Sequence, residues 1–197
     1  MDQTDPALSE RSRRTRDAIV RALIGLAADK RIENIRIGHI ASAAGVARST
    51  LYEHFKSRDE IVLASLEPVL LHLANCASGR LPHHALRELT EHLWQGRFRL
   101  RSLLSGRTAE AVQRRLTGLI ADRRGRSGWN DDGLLAAATA SGQLAMLRAW
   151  LSGEASASAA QLAALLAQFS AASANGQTGS PTRHGSTSGT ARPGAVP

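Results

Sequence analysis

The sequence predicts an all-α protein in which a small N-terminal helix-turn-helix module precedes a larger helical domain. Ala and Leu, which have high helix propensity, are abundant, whereas aromatic residues make up only 4% of the 197 residues. Apolar residues recur at spacings of three and four along most of the chain, as they do on one face of a helix. No internal repeat and no alternating strand pattern stands out, so the expected fold is helical throughout.

The chain is basic, with a formal net charge of +8. Such a charge permits binding to nucleic acid without establishing it. The excess is not confined to the N-terminal module, because residues 80–126 hold 11 Lys or Arg residues against 4 Asp or Glu residues. This basic segment, residues 80–126, has three open interpretations: a solvated face, a site for an anionic ligand, or a further surface for DNA or a partner.

The sequence gives several indications of cellular compartment. Cys76 is the single cysteine, which excludes an intrachain disulfide framework. The N-terminal stretch MDQTDPALSERSRR carries charges where a signal peptide needs an apolar core. No apolar run reaches the roughly 18–20 residues that are needed to cross a bilayer. We therefore expect a cytoplasmic protein without a membrane partner.

The N-terminal module is expected to span residues 11–57, after a disordered arm at residues 1–10. Its first helix is predicted from Arg11 to Lys30. Apolar residues line one face of this helix: Ile19, Leu23, Leu26 and Ala27. After a break, a second short helix is predicted over residues 36–44, and Gly45 ends it because glycine accepts a positive φ.

The stretch GVARSTLYEHF, residues 45–55, predicts the turn and the second helix of the motif. Two helices of about 7–9 residues, joined through Gly45, Val46 and Ala47, make a helix-turn-helix. Leu51 and Phe55 are four residues apart and are expected to face the core. The polar residues of the second helix, residues 48–54, are then left to face outward or sideways.

The larger domain is expected over residues 58–172, followed by a disordered tail at residues 173–197 that is rich in Gly, Ser, Thr and Pro. Ser57 has the side chain of an N-cap for the first helix of this domain. Pro68 lacks an amide hydrogen and is expected to kink or split that helix. Apolar periodicity predicts further helices at residues 83–95, 97–104, 108–123, 131–152 and 158–172.

The second helix of a helix-turn-helix can lie in the major groove of DNA, where its N-terminal side chains meet base edges and phosphates. Arg48 can pair with guanine, and Thr50 offers a hydroxyl and a methyl group. Tyr52 and His54 carry polar tips that can hydrogen-bond phosphates while their rings pack. An ordinary helical hairpin is the alternative, but the turn, the period and the outward polarity all favour DNA recognition.

Residues 15–63 resemble the tetracycline-repressor-like (TetR/AcrR) family of transcription regulators. The resemblance rests on IRIGHIASAAGVARSTLYEHFKSRDEIV, with its Ala-Gly-Val turn, Thr-Leu-Tyr core and Phe-x-Ser ending. A weaker likeness, at ASGQLAMLRAWLSGEASASAAQLAALL, is to the two C-terminal helices through which such proteins dimerise. Residues 80–130 match no named pattern, as expected for the divergent ligand-binding domain of the family.

The resemblance implies contacts with double-stranded DNA from the helix after the turn and from residues that flank it. Arg36 and Arg58 would hold phosphates. The other contacts would come from Arg48, Ser49, Thr50, Tyr52 and His54. Three positions depart from the family pattern, and one of them is Pro68 in the helix that connects the two domains. Ala47 stands where a capping Ser is usual, at a cost of about 1 kcal/mol, and Arg36 stands where Thr is common.

The resemblance also implies a function for the C-terminal domain in ligand binding and dimerisation. The expected protein is a homodimer, paired through residues 131–152 and 158–172, that represses transcription until an unknown small-molecule ligand releases it from a palindromic operator. The alternative is a DNA-binding regulator or architectural protein without an effector. A sealed C-terminal core would favour that alternative, and an apolar cavity would not. No catalytic pairing or phosphate loop stands out, so we expect neither an enzyme nor a cofactor.

Four large side chains of the C-terminal domain could either line a ligand cavity or form ordinary core: Trp94, Phe98, Met146 and Trp150. Cys76 is expected to be a small buried apolar residue rather than a redox sensor. In the N-terminal module, the arginine run at residues 11–16 could be a solvated helix start or a set of phosphate contacts.

A possible metal stripe also appears in the sequence, because His84, Glu88 and His92 are spaced by four, as ligands on one helix can be. At about 100° per residue, this stripe lies opposite a set of leucines that should face the core. Those leucines are Leu86, Leu89 and Leu93. We therefore expect the stripe to face water and to hold no metal.

Overall fold

Helix is the regular structure of the described part of the chain, which comprises residues 6–105, 108–124 and 131–175 of this computed structural model. The α-helices found there are α1 (Pro6–Asp29), α2 (Ile37–Ala44), α3 (Arg48–His54), α4 (Arg58–Ala77), α5 (His83–Gln95), α6 (Arg97–Ser105), α7 (Ala109–Arg124), α8 (Asp131–Ser152) and α9 (Ala159–Asn175). A short 3₁₀ helix, Ile32–Asn34, links α1 to α2. The predicted all-α fold is confirmed.

The apolar periodicity of the sequence predicted the bounds of α3, α5 and α8 to the residue. α1 differs, because it begins at Pro6 rather than at Arg11, so residues 6–10 of the expected disordered arm are helical. Proline suits a first helical turn, where an N–H would have no intrahelical partner. α9 runs to Asn175 and so includes the first residues of the expected tail. The rest of both segments lies outside the described residues.

α4 passes through Pro68 without being split, so the predicted break is absent, and a kink there stays a prediction. Buried side chains hold both halves of this helix against the core: Val62, Leu66, Leu70 and Leu73. The proline itself is exposed. Packing of the two halves therefore outweighs the local cost of the proline.

By length and composition alone, α4 is the one helix in the described residues that is apolar enough to cross a membrane. This differs from the expectation that no apolar run is long enough. α4 packs against α1, α7 and α9, and its Ile61, Val62 and Leu73 are fully buried. These buried side chains are covered by neighbouring helices, as those of a core helix are.

Two side chains of α8 organise the core of the larger domain. Trp150 is 2% exposed, and its indole N–H donates to the Ala157 carbonyl at 2.8 Å. Gln143 joins three helices, because its Nε2 donates to the Leu73 carbonyl of α4 at 3.1 Å and to the Ser170 hydroxyl of α9 at 3.0 Å. Buried polar bonds of this kind favour one register of the helices over others.

α8 and α9 approach each other closely where Gly142 faces the ring of Phe169. The ring occupies the space that a Cβ at position 142 would need. A glycine in a helix interior costs about 1 kcal/mol relative to alanine. The close approach explains why a glycine stands here in spite of that cost.

The core is not filled everywhere. A cavity of about 220 Å³ lies where α1, α4, α5 and α6 meet, and most of the side chains around it are aliphatic. Its walls come from both units, since Ala27 belongs to α1 of the N-terminal module and Val69 and Leu100 belong to the larger domain. The boundary between the two units is therefore not sealed.

Candidate nucleic-acid interface

The turn between α2 and α3 is built on a left-handed glycine, as predicted. Gly45 has a φ of 67°, and its N–H donates to the carbonyls of Ala41 and Ser42 at the end of α2. The Val46 N–H also donates to the Ala41 carbonyl, at 3.0 Å. These bonds satisfy the last carbonyls of α2 and direct the chain into α3.

α3 has little stability of its own. It has 7 residues, well below the roughly 12–15 that an isolated helix needs. No side chain caps its start, because the Ala47 side chain has no oxygen to accept a hydrogen bond. The helix is held instead by Leu51 and Phe55, which are 0% and 1% exposed. Burial of these two side chains contributes about 3–6 kcal/mol.

Arg16 of α1 provides a third anchor for α3. Its guanidinium lies 4.2 Å from the centre of the Phe55 ring, and its Nη1 donates to the His54 carbonyl at 3.1 Å. A cation at the C-terminal end of a helix is favourable, because the carbonyls there carry partial negative charge. The sequence interpretation missed this role. The available signal was spacing, since Arg16 shares a helix face with the buried Ile19 and Leu23.

Most of the residues predicted to contact DNA are exposed. Tyr52 is 53% exposed, and Arg36, Arg48 and Ser49 are exposed as well. Thr50 and His54 are half-buried. The helix-turn-helix therefore presents polar side chains on its outer side while Leu51 and Phe55 are buried, which is the division that DNA recognition requires. Contact of each residue with DNA stays a prediction.

The Arg48 guanidinium lies against Gly38 in the first turn of α2. A Cβ at position 38 would collide with the Nη2 atom of Arg48. Gly38 thus leaves room for the arginine beside α2 without any backbone strain. The sequence interpretation did not single out Gly38, because a glycine within a helix pattern indicates only weak helix propensity.

Arg58 lies where α4 begins, but its guanidinium is engaged within the protein. Its Nη1 donates to the carbonyls of Ile32 and Glu33, at 3.1 and 3.0 Å. Its Nη2 lies 3.4 Å from the Asp59 carboxylate, and the side chain is only 25% exposed. These bonds tie the start of α4 to the 3₁₀ helix. A phosphate contact from Arg58 stays a prediction beside this structural role.

The start of α4 has the cap that the sequence predicted. The Ser57 hydroxyl accepts a hydrogen bond from the Glu60 N–H at 3.2 Å. The Glu60 carboxylate in turn accepts one from the Lys56 N–H at 2.7 Å. These reciprocal bonds fix the angle at which the chain leaves α3 and enters α4.

Two of the four side chains considered for a ligand cavity, Trp94 and Phe98, are exposed rather than enclosed. Trp94 and Trp150 have ring centres 4.8 Å apart, whereas Phe98 is 77% exposed and lies on the surface. Arg97 stands over both Trp94 and Phe98, at 4.7 and 4.5 Å from their ring centres. Met146 is partly buried against the core. A ligand role for these four residues stays a prediction.

The histidine stripe of α5 faces water, since His84, Glu88 and His92 are all exposed. In the described part of the chain, no group of three His, Cys, Asp or Glu side chains is placed to hold a metal ion. Cys76 is buried, as predicted. Burial raises the pKa of its thiol, and a hydrogen bond with the Ser170 hydroxyl opposes that rise in part.

Several arginines of the basic segment have partners within the chain. Arg87 and Arg114 pair with glutamates one turn away on their own helices. Arg115 of α7 pairs with Glu67 of α4, and Arg123 donates to the Asn75 side chain at 2.6 Å. These pairings favour a solvated, internally compensated face over a dedicated anion site.

Comparison with known proteins finds a family model that matches the N-terminal part of the chain. Residues 19–65 match the family model described as bacterial regulatory proteins, tetR family. The chain is also similar in structure to a TetR transcriptional regulator from Rhodococcus sp. RHA1, with a TM-score of 0.58, 17% identity, and coverage of 84% of this chain and 98% of that chain. A tetR-family transcriptional regulator from Streptomyces coelicolor gives a TM-score of 0.51, 17% identity, and coverage of 82% and 83%. No protein of curated function matches the chain.

Proposed function

We propose that this chain, whose residues 19–65 match the model of the tetR family of bacterial regulatory proteins, is a cytoplasmic, dimeric repressor that a small molecule releases from a palindromic operator. DNA binding and regulation of transcription follow from the family. The observation that carries the mechanism is the burial of different side chains along α3 and its C-cap residue Phe55. Leu51 and Phe55 are buried, while Arg48 and Tyr52 are exposed. This division leaves a rigid polar face free to enter the major groove.

The proposed dimer forms through α8 and α9. Both helices carry exposed apolar residues, Leu134 at 73% and Leu165 at 49% exposure. Around these leucines, the exposed positions of the two helices are mostly small: Ala138, Ala145, Ala160, Ala164, Ala171 and Ala172. Small residues let two helix pairs approach closely, and a two-fold axis there would present two copies of α3 about 34–36 Å apart or a little more, to successive turns of one DNA face.

Release by a ligand is proposed over the alternative of a regulator or architectural protein without an effector. The cavity of about 220 Å³ between the two units supports this choice. A sealed boundary would offer a small molecule no route into the core. A ligand that prefers one arrangement of the two units shifts the population toward it and changes the spacing of the two α3 helices.

Selection from a random duplex library, followed by fluorescence anisotropy with the full chain, tests DNA recognition directly. Arg48→Ala is expected to relax base preference at one position of each half-site, by about 1–3 kcal/mol. Arg36→Ala is expected to weaken binding to all sequences alike and to reduce the salt dependence by about one phosphate contact.

The matched control is Arg80→Ala, which removes the same charge from an exposed position just beyond the far end of α4. A 20-residue helix is about 30 Å long, so Arg80 lies far from α3. This control is expected to leave base preference and salt dependence unchanged. Equal losses from Arg48→Ala and Arg80→Ala would mean that net charge, not α3, supplies the binding.

Sedimentation equilibrium tests the dimer. The wild-type chain is expected to sediment at twice the monomer mass, and Leu165→Arg is expected to reduce that mass toward the monomer because a charge would be buried without a partner. Arg87→Ala, on the outer face of α5, is expected to remain dimeric. A monomeric wild-type chain at micromolar concentration would contradict the proposed interface.

A further inference from the structure

The cavity at the junction of the two units has walls of two origins. One side is formed by the C-terminal half of α1 and the 3₁₀ helix, through Leu23, Ala27 and Ile32. The other side is formed by α4, α5 and α6, through Val69, Leu93 and Leu100. Any molecule that fills this space therefore touches the DNA-binding module and the larger domain at once.

The volume of the cavity limits what it can hold. At about 220 Å³, it is smaller than the roughly 300–1,000 Å³ of sites for drug-sized ligands. It is larger than an apolar cavity of about 150 Å³ that is able to hold benzene. A single six-membered ring with one or two substituents, or a short aliphatic chain, matches this range.

Few polar side chains surround the cavity. Among the lining residues that the structure describes, none is Asp, Glu, Lys or Arg. The Ser65 hydroxyl donates its proton to the Val62 carbonyl at 2.6 Å, so the Ser65 oxygen is left to accept a hydrogen bond. His92 and Gln95, which are exposed in the last turn of α5, stand at the rim.

From this geometry we propose that the cavity binds a neutral, mostly apolar small molecule of about one ring that carries a single hydroxyl. The aliphatic walls contact the ring, and the hydroxyl donates to the Ser65 oxygen or meets His92 and Gln95 at the rim. A carboxylate of the same shape is excluded, because burying its charge without a counter-charge is costly.

The position of the cavity gives the bound molecule a regulatory role, and this second part rests on the proposed function. α1 forms one wall of the cavity and also carries Arg16, which holds the C-terminal end of α3. A ligand that fits one arrangement of α1 and α4 better than another shifts the protein toward it. α3 moves with α1, so the spacing of the two reading helices depends on occupancy.

Isothermal titration of the full chain tests binding without DNA. The probes are p-cresol, toluene and 4-methylbenzoate, which share a methylated ring and differ in the polar group. Saturable binding is expected for p-cresol, weaker binding for toluene, and none for 4-methylbenzoate. Equal binding of 4-methylbenzoate, or no saturable binding of p-cresol up to its solubility limit, would overturn the proposal.

Two neighbouring alanines of α1 give a matched pair of variants. Ala27 lines the cavity, whereas Ala28 is exposed. Ala27→Leu fills the cavity and is expected to weaken p-cresol binding by at least about tenfold. Ala28→Leu adds the same side chain outside the cavity and is expected to leave binding unchanged. Val69→Phe fills the cavity from α4 and serves the same purpose if Ala27→Leu does not fold.

The regulatory part of the proposal, that ligand binding changes operator binding, is tested by measuring operator affinity with and without p-cresol. Operator affinity is expected to fall on addition of p-cresol in the wild type and in Ala28→Leu, and to be unaffected in Ala27→Leu. If p-cresol binds but operator affinity does not change, the coupling is overturned while the site stands. If operator binding is absent and p-cresol binding follows the two alanine variants, the proposed function fails and the site stands. Unchanged p-cresol binding in both cavity-filling variants would overturn the site itself.

Discussion

The two ends of the molecule differ in how stability and function depend on the same residues. On α3, the residues that hold the helix and the residues predicted to contact DNA are different side chains of one short element, since Phe55 is buried and Tyr52 is 53% exposed. On α8 and α9, the close approach at Gly142 and the buried bonds of Gln143 set the packing on which the proposed dimer surface depends. Substitutions at the first end should therefore separate the two properties, and substitutions at the second should change them together.

The largest expected effect comes from the aromatic pair of the helix-turn-helix. Phe55→Ala is expected to lower the free energy of unfolding by about 3–5 kcal/mol, because it empties the site against which α1 and α3 pack. Tyr52→Ala is expected to change it by less than about 0.5 kcal/mol, because the ring is largely exposed. Urea denaturation measures both values.

The effects of the two aromatic variants on DNA affinity, measured by fluorescence anisotropy, are expected to follow the opposite order from their effects on stability. Tyr52→Ala, although fully folded, is expected to bind DNA more weakly than the wild type. A loss of stability in Tyr52→Ala as large as that in Phe55→Ala would show that α3 does not separate stability from recognition.

The next largest effect on stability is expected where α8 packs against α9, and it is tested by the same Gly→Ala substitution at two positions. Gly118 lies within α7 and has open space around the position of a Cβ, so Gly118→Ala is expected to stabilise the protein by up to about 1 kcal/mol. Gly142→Ala is expected to destabilise it by about 1–3 kcal/mol, because Phe169 must move away. Thermal unfolding followed by circular dichroism gives the two signs.

Sedimentation of the same glycine variants tests whether packing and assembly are linked. Displacement of Phe169 shifts α9 against α8, so Gly142→Ala is expected to weaken the dimer, and Gly118→Ala is not. A stabilised Gly142→Ala protein with wild-type dimerisation would show that the two helices tolerate a wider spacing.

A smaller effect is expected at Arg16, which links α1 to the end of α3. Arg16→Ala removes the contact with Phe55 and the bond to the His54 carbonyl, at a cost of about 1 kcal/mol in stability. Arg13, three residues earlier and exposed on the same helix, offers the matched control in Arg13→Ala. Hydrogen exchange of the α3 amides is expected to speed up in Arg16→Ala alone. Equal exchange in both variants would reduce Arg16 to a solvated surface charge.

The features that were predicted from the sequence depend on residues close to one another along the chain. The turn at Gly45 and the cap at Ser57 each involve neighbours within four residues, and α3 follows from a period of about 3.6 residues. Because these interactions are local, their chemistry can be recognised before any packing is known. The same holds for the buried face of α3.

The features that were not predicted join distant parts of the chain. Arg16 meets His54 across 38 positions, and Phe169 meets Gly142 from another helix. Arg58 was expected to hold a phosphate, but its bonds to the Ile32 and Glu33 carbonyls depend on how the 3₁₀ helix is placed. The cavity depends on what four helices fail to fill. Periodicity identifies a buried face, but not the neighbour that covers it or the space that remains.

The smallest effect concerns Cys76, a residue of α4 whose thiol contacts α9. It appears only as a dependence of stability on pH. Burial raises the pKa of the folded thiol, so it keeps its proton at pH values where the unfolded thiol, with a pKa of about 8.5, has lost it. The unfolded state then binds fewer protons than the folded state, and the free energy of unfolding falls as the pH rises. The contribution of the neutral thiol is complete below about pH 8.5 and is lost as the pH rises toward the folded pKa. In Cys76→Ala this slope is expected to disappear, whatever constant cost the lost sulfur adds, because alanine has no proton to release. Denaturation of the two proteins between pH 7 and pH 10 compares the slopes. Parallel curves would mean that the thiol is solvated in the folded protein. In that case α4 and α9 would be less tightly packed than the bond from Cys76 to Ser170 indicates.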